Sequence, residues 1–201
     1  MGKFQNKYRI ASARAQWWDY GWNGAYFITI CTQNREHFFG EIHNGKMNLS
    51  HLGVIVNILW YEIPNHSPFI ELGDFVIMPN HIHGILILDK PIDGINNSDN
   101  DNDNDNVDTG HALYLQTSQQ MPTQQSIGKN RFQNIGKNTV SSIIGSYKSA
   151  VTKHANRLGL TNGWQSRFHD HIIRKDAEYQ RISDYIINNP ANWDNDKFNN
   201  D

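Results

Sequence analysis

The sequence predicts an α+β fold, a ferredoxin-like split βαβ with an antiparallel sheet of four to five strands, helices on one face and a C-terminal helix. Three observations predict it. Apolar β-branched segments and amphipathic helical stripes follow one another in the order β-α-β-β-α-β, the pair Pro79-Asn80 supplies a tight turn between the two central strands, and a further amphipathic stretch follows the last strand. A sheet covered on one face leaves the other for a ligand.

The elements are read in order. Residues 26–32 (YFITICT) are β-branched and aromatic and follow a Gly-containing turn, as a strand requires. Ser50 can cap a helix whose apolar positions Leu52, Ile55, Val56, Leu59, Trp60 and Ile63 keep the 3.6-residue period until Pro64. Residues 69–78 and 82–88 are two more apolar strands, joined as a hairpin by Pro79-Asn80. Further on, Val140, Ile143, Ile144, Tyr147, Val151, His154 and Leu158 make one helical stripe, which Gly159 closes. Residues 164–174 read as a fourth strand and residues 177–189 as the last helix.

With 201 residues and 38% hydrophobic content, the chain can fill one core and little more. Residues 1–201 are therefore read as one domain with an insertion at about 91–138. Within it, residues 96–108 alternate Asn and Asp with almost nothing apolar, the composition of a disordered loop. The tetrapeptide IGKN occurs at 127–130 and again at 135–138, too short a repeat to be a solenoid unit. No apolar run approaches the roughly 20 residues of a membrane helix, and the first ten residues are too polar for a signal peptide, so a cytoplasmic protein with no membrane partner is expected. The single cysteine, Cys31, lies in an apolar segment and reads as a small core residue.

The net charge of -2 hides an uneven distribution. Six aspartates and no Lys or Arg lie between residues 91 and 110, so the rest of the chain carries 18 basic residues against 14 acidic ones, 20 less those six. Between Lys129 and Arg181 there are ten Lys and Arg against three Asp and Glu. That half is a candidate phosphate-binding surface or simply a solvated basic face.

The candidate chemistry starts at His81-Ile82-His83. Residues two apart on a strand point to one face, so both imidazoles project together and can hold one divalent metal, although the pair alone does not distinguish ligands from structural histidines. On the last helix, Glu178, Arg181 and Asn189 share a side with Tyr185, while Tyr179, Ile182 and Ile186 point toward a core. Asn189 lies one turn beyond Tyr185, and Pro190 limits the helix there. By itself Tyr185 also fits an ordinary surface tyrosine.

The string FVIMPNHIHGILIL (residues 75–88), with YFITICTQNR (26–35) before it and DYIINNP (184–190) near the end, resembles the REP-associated tyrosine transposases of the HUH family. The likeness spans nearly the whole chain outside the insertion. It implies that His81 and His83 are metal ligands, that Tyr185 is the nucleophile and that Asn189 completes the metal site, where relatives often carry Gln. It also implies a divalent cofactor, Mg²⁺ or Mn²⁺, and single-stranded DNA with a hairpin or inverted repeat as partner, with monomer and homodimer both left open.

The expected reaction is cleavage and rejoining of single-stranded DNA through a 5'-phosphotyrosine at Tyr185. The linkage is stored in a covalent bond and no G-x-x-x-x-G-K-[ST] loop is found, so no ATP is expected. Arg9, Arg14, Lys148, Lys153, Arg157, Arg167 and Arg174 are candidate phosphate contacts, and Trp17, Trp18 and Trp22 can stack on bases or pack in the core. The competing reading is a DNA- or RNA-binding regulator that keeps the fold without cleaving.

Overall fold

The computed structural model describes residues 19–91 and 138–199, together with the short paired strands β1 (Lys3–Phe4) and β2 (Lys7–Tyr8). Arg9, Arg14, Trp17, Trp18 and nearly all of the insertion with its repeated tetrapeptide lie outside the described residues. The elements that follow are β3 (Gly24–Cys31), the hairpin β4 (Gly40–His43) and β5 (Lys46–Leu49), α1 (His51–Tyr61), the single turn α2 (Ile63–His66), β6 (Ile70–Met78), β7 (His81–Leu88), α3 (Val140–Arg157), β8 (His169–Ile173) and α4 (Asp176–Asn188). Strands β3, β6, β7 and β8 make one antiparallel sheet in the order β6-β7-β3-β8, the arrangement of a split βαβ fold.

Local chemistry explains where the helices start and stop. The Ser50 hydroxyl accepts from the Gly53 N–H and donates to the Phe38 carbonyl, so one side chain caps α1 and ties it to the preceding chain. Thr139 and Ser142 bond reciprocally as a capping box on α3, and Gly159, at φ +69°, ends that region in the left-handed conformation. The stripe read for α3 holds for Val140, Ile143, Ile144, Tyr147 and Val151 but not at its end. His154 and Leu158 are exposed and Ala155 is buried in their place, because the terminal turn runs past the edge of the core.

The fourth strand is shorter than expected. Trp164 makes only an isolated bridge to Thr32, and pairing resumes at His169 opposite Thr29. The chain thus advances five residues while its partner retreats three, which expels Ser166 and Arg167 from the ladder.

The sheet is covered on one face and in part on the other. On one, Tyr26, Ile28, Ile82, Leu86 and Leu88 pack with Val56 and Trp60 of α1 and Ile144 and Val151 of α3. The opposite face, expected to stay clear for a ligand, is partly covered: α4 lays Ile182 and Ile186 on Ile85, Ile87 and Ile173. A bulge in β6 between Leu72 and Phe75 presents Asp74, whose carboxylate accepts a hydrogen bond from Ser183 of α4.

The turn before β3 holds both ends of the insertion. Asn23 bonds the backbone of Lys90 through both its amide oxygen and its amide nitrogen, the Lys90 ammonium donates to the Gly21 carbonyl, and the Val140 N–H donates to the Tyr20 carbonyl.

Gly84 decides how closely α1 approaches β7. A Cβ there would sit 2.4 Å from Cζ2 of Trp60, a fully buried ring that also stacks on Phe75 at 4.5 Å and cannot yield. Gly84→Ala is expected to destabilise the protein by about 1–3 kcal/mol or more through overpacking, read from the urea midpoint.

Candidate active site

The site is built on β7. Alternation along the strand turns Ile82 toward α1 and α3 and sends His81 and His83 to the α4 face, with ring centres 4.5 Å apart. In register, His81 lies between Cys31 and Met78, and His83 between Thr29 and Val76. Both imidazoles are almost wholly buried.

Their neighbours set which ring nitrogen faces the site. The Asn80 amide nitrogen donates to the Phe198 carbonyl at 2.8 Å, which turns its oxygen toward His81 Nδ1, also 2.8 Å away. Nδ1 of His81 therefore carries the proton and Nε2 keeps its lone pair, buried and without a hydrogen-bond partner. Nδ1 of His83 lies 2.8 Å from the Thr29 hydroxyl, and its Nε2 lies 3.3 Å from the Tyr185 hydroxyl. The same tautomer serves both contacts, with the phenol donating to Nε2 and Nδ1–H donating to Thr29.

Desolvation keeps both rings neutral. Burial, reinforced by His83, Arg35 and Lys197, lowers the His81 pKa to about 2. Burial, with Lys197 and His169, lowers that of His83 to about 3. Two uncharged imidazoles, one with an unused lone pair, form a donor set suited to a cation.

Helix α4 brings Tyr185 to this pair, 42% exposed, with its ring 5.3 Å from His83 and 6.2 Å from Phe27. Its phenol is held protonated, chiefly by burial and then by the Asp196 carboxylate, while a hydrogen bond from Asn189 acts in the opposite direction. Asn189 keeps helical angles although Pro190 follows, because the chain continues into a 3₁₀ segment, Pro190–Asn195. Its side chain is buried and its Oδ1 has no hydrogen-bond partner. The 3₁₀ segment then delivers Asp196, whose carboxylate lies within 4.8 Å of the donor atoms of His81 and His83, which are equally near each other. Metal–donor bonds of about 2.1 Å span donor pairs up to roughly 4.2 Å apart, so the group can hold a divalent ion with a small inward movement. His81 Nε2, one of several buried polar atoms without a hydrogen-bond partner among the described residues, supports the same fit.

The predicted basic residues divide. Arg167 sits in the expelled stretch before His169, at the His81 end of the sheet, and is exposed. Lys153 and Arg157 are exposed on α3, and Lys153 shares with Lys148, Ser149, Thr152, Asn156 and Trp164 an open groove of about 440 Å³. Lys148 is half-buried, has its pKa lowered by that burial, and donates to the Gln165 carbonyl at 2.6 Å. Arg174 follows Ile173, which pairs with Ala25, four residues from Thr29, so it lies at the other end of the sheet from the histidines. Trp22 is half-buried, and its carbonyl accepts from the Tyr26 hydroxyl.

Two site residues had no role in the sequence reading. Asp196 lies beyond Pro190, which the sequence marks as the limit of the helix, so no local pattern ties it to the histidines. Arg35 stands at the end of the string YFITICTQNR without an assigned function. Here its backbone, like that of Asn34, takes positive φ, and its guanidinium lies 4.5 Å from the centre of the Phe198 ring. That ring in turn lies 4.5 Å from His81.

An uncharacterized protein of Haemophilus influenzae is 35% identical over 189 residues, covering 92% of this chain and 91% of its own. The chain belongs to the same family as that protein. No known family profile matches it. Among solved structures, a REP-associated tyrosine transposase bound to a REP hairpin superposes with a TM-score of 0.50 over 96% of this chain and 74% of its own, at 18% identity. The two share the fold. A transposase candidate from Deinococcus radiodurans aligns less closely, with a TM-score of 0.41 and 11% identity over 90% of this chain and 97% of its own. No helix among the described residues is long and apolar enough to cross a membrane.

The buried histidines make stability depend on pH. Their pKa values are lower in the folded chain than the usual 6.5, so below pH 6.5 the unfolded chain takes up protons that the folded one does not. Stability of the metal-free protein is expected to fall as pH drops from about 6.5 toward 3, by up to about 1.4 kcal/mol per pH unit for each ring. Urea unfolding at pH 7, 6 and 5 measures this, and His81→Gln is expected to make the dependence shallower.

Proposed function

We propose that this protein is a DNA transposase that cuts and rejoins single-stranded DNA, with Tyr185 as nucleophile beside a divalent ion held by His81, His83 and Asn189. One observation carries the reading: the Tyr185 hydroxyl lies 3.3 Å from His83 Nε2, next to a buried imidazole nitrogen and a buried amide oxygen that have no other partner. A module that only binds nucleic acid has no use for such a convergence. The fold shared with a transposase that was captured on a REP hairpin supports DNA with a hairpin or inverted repeat as the substrate class.

The chemistry follows from the residues. Bound Mg²⁺ or Mn²⁺ supplies positive charge to the non-bridging oxygens of the scissile phosphate. Asn80 and Thr29 fix the rings of His81 and His83 so that each presents Nε2 inward. With an ion on His83 Nε2, the Tyr185 hydroxyl gives up its hydrogen bond there, which frees its oxygen for the phosphate. Tyr185 is a neutral phenol at rest, so its proton leaves as its oxygen bonds to phosphorus. The P–O3' bond then breaks and the 3'-oxygen takes up one proton, matching through solvent the one Tyr185 gave up. This leaves a 5'-phosphotyrosine and a 3'-hydroxyl that can attack in reverse and restore a strand. Arg167, Lys153 and Arg157 are exposed cations available to the phosphate backbone.

Incubation with Mn²⁺ and labelled oligonucleotides carrying inverted repeats from the DNA flanking the gene is expected to yield a covalent adduct on denaturing gels. Tyr185→Phe and addition of EDTA are each expected to abolish it. An adduct that survives Tyr185→Phe would move the nucleophile elsewhere. In binding titrations, Lys153→Ala is expected to reduce the slope of log K against log salt by about 0.7–0.9 if Lys153 contacts a phosphate.

A further inference from the structure

Building on the reading that His81 and His83 hold a cation, we propose that Asp196 is an additional ligand, so that metal binding locks the C-terminal segment 190–199 onto the sheet. The segment is seated by contacts of its own. Trp193 lies 5.8 Å from His37 and 6.1 Å from His81, ring centre to ring centre. Phe198 lies 4.5 Å from His81 and 5.9 Å from His83, and its carbonyl takes the Asn80 amide. Arg35 donates to the Lys197 carbonyl at 3.3 Å. Between these anchors stands Asp196, where its carboxylate and the two imidazoles lie within 4.8 Å of one another.

The placement is chemically pointed. Nε2 of His81 is fully buried and has no partner, and its other nitrogen is already committed to Asn80, so Nε2 is the one left for an ion. A carboxylate brought against two neutral imidazoles adds the negative charge that they lack toward a divalent ion. Because the histidines belong to β7 and the carboxylate to the end of the chain, one ion would join the two. Loading then favours the docked segment by mass action, and an undocked segment weakens metal affinity by the same factor.

Mn²⁺ binding to the full chain, followed by calorimetry and by electron paramagnetic resonance, tests this directly. Asp196→Asn keeps the size of the side chain and an acceptor for the Phe198 N–H, which Asp196 Oδ1 now accepts at 2.7 Å. Wild type is expected to bind, and Asp196→Asn, which offers the ion a neutral amide oxygen in place of a carboxylate, to bind at least about tenfold more weakly. Mn²⁺ is also expected to slow carboxypeptidase trimming of the wild-type C-terminus and to leave trimming of Asp196→Asn unchanged. Equal Mn²⁺ affinity of wild type and Asp196→Asn would overturn the proposal while leaving the histidine site standing. Absence of Mn²⁺ binding by wild type would instead overturn the metal reading on which it rests. If the Asn variant melts lower without metal, Asp196→Glu serves as the check: recovered affinity supports ligation, and affinity as low as that of the Asn variant, in a protein that melts like wild type, overturns it.

Discussion

Everything at the site depends on the two-residue alternation of β7, a strand buried along its whole length. One set of its side chains must satisfy a dry core beneath α1 and α3, and the other set is thereby committed to the α4 face. The core sets the register. Ile82, Leu86 and Leu88 cannot leave the hydrophobic side without exposing apolar surface, and Gly84 cannot carry a side chain under Trp60. A slip of one residue would bury His81 and His83 in that core, where nothing could pair with them. The geometry of the imidazoles is thus held by residues that take no part in their chemistry.

The site keeps polar atoms where folding alone would not leave them. A buried donor or acceptor without a partner costs about 1–3 kcal/mol, and His81 Nε2 and Asn189 Oδ1 are both of this kind. The same desolvation that makes them costly keeps the rings neutral and ready to bind a cation. Around them the aromatic rings of Phe27, Phe198 and Trp193 exclude water, while Arg35 and Lys197, both within cation–π distance of Phe198, bring positive charge close by. An anionic backbone would thus meet cations at the rim and neutral donors inside.

Much of this was legible in the sequence because it rests on short-range periodicity. The alternation through residues 81–88, the Ser50 cap and the stripe of α4 each declare themselves within a few residues, and with them the common face of His81 and His83 and that of Tyr185 and Asn189. What escaped depends on tertiary fit. The exposure of His154 and Leu158 is decided by where the core ends, and the early loss of β8 pairing by two residues that its partner cannot match. Asp196 was invisible for a similar reason. Pro190 reads as a stop, yet Asn189 stays helical and the chain rolls on in a 3₁₀ turn that carries a distant carboxylate back to the strand. Arg174 shows the converse, since a basic residue near the site in sequence falls at the far end of the sheet.

The turn at residues 20–23 has a bearing on how such a chain can diverge. It grips both Lys90 and Val140, so the two edges of the crossover are clamped by contacts that do not involve the residues between them. Closing a longer excursion across a clamp of this kind adds only about 0.6 kcal/mol for each doubling of its length. The clamp also lies at the Gly24–Leu88 end of the sheet, away from His81. A change of length in this crossover would therefore leave the placement of His81 and His83 undisturbed.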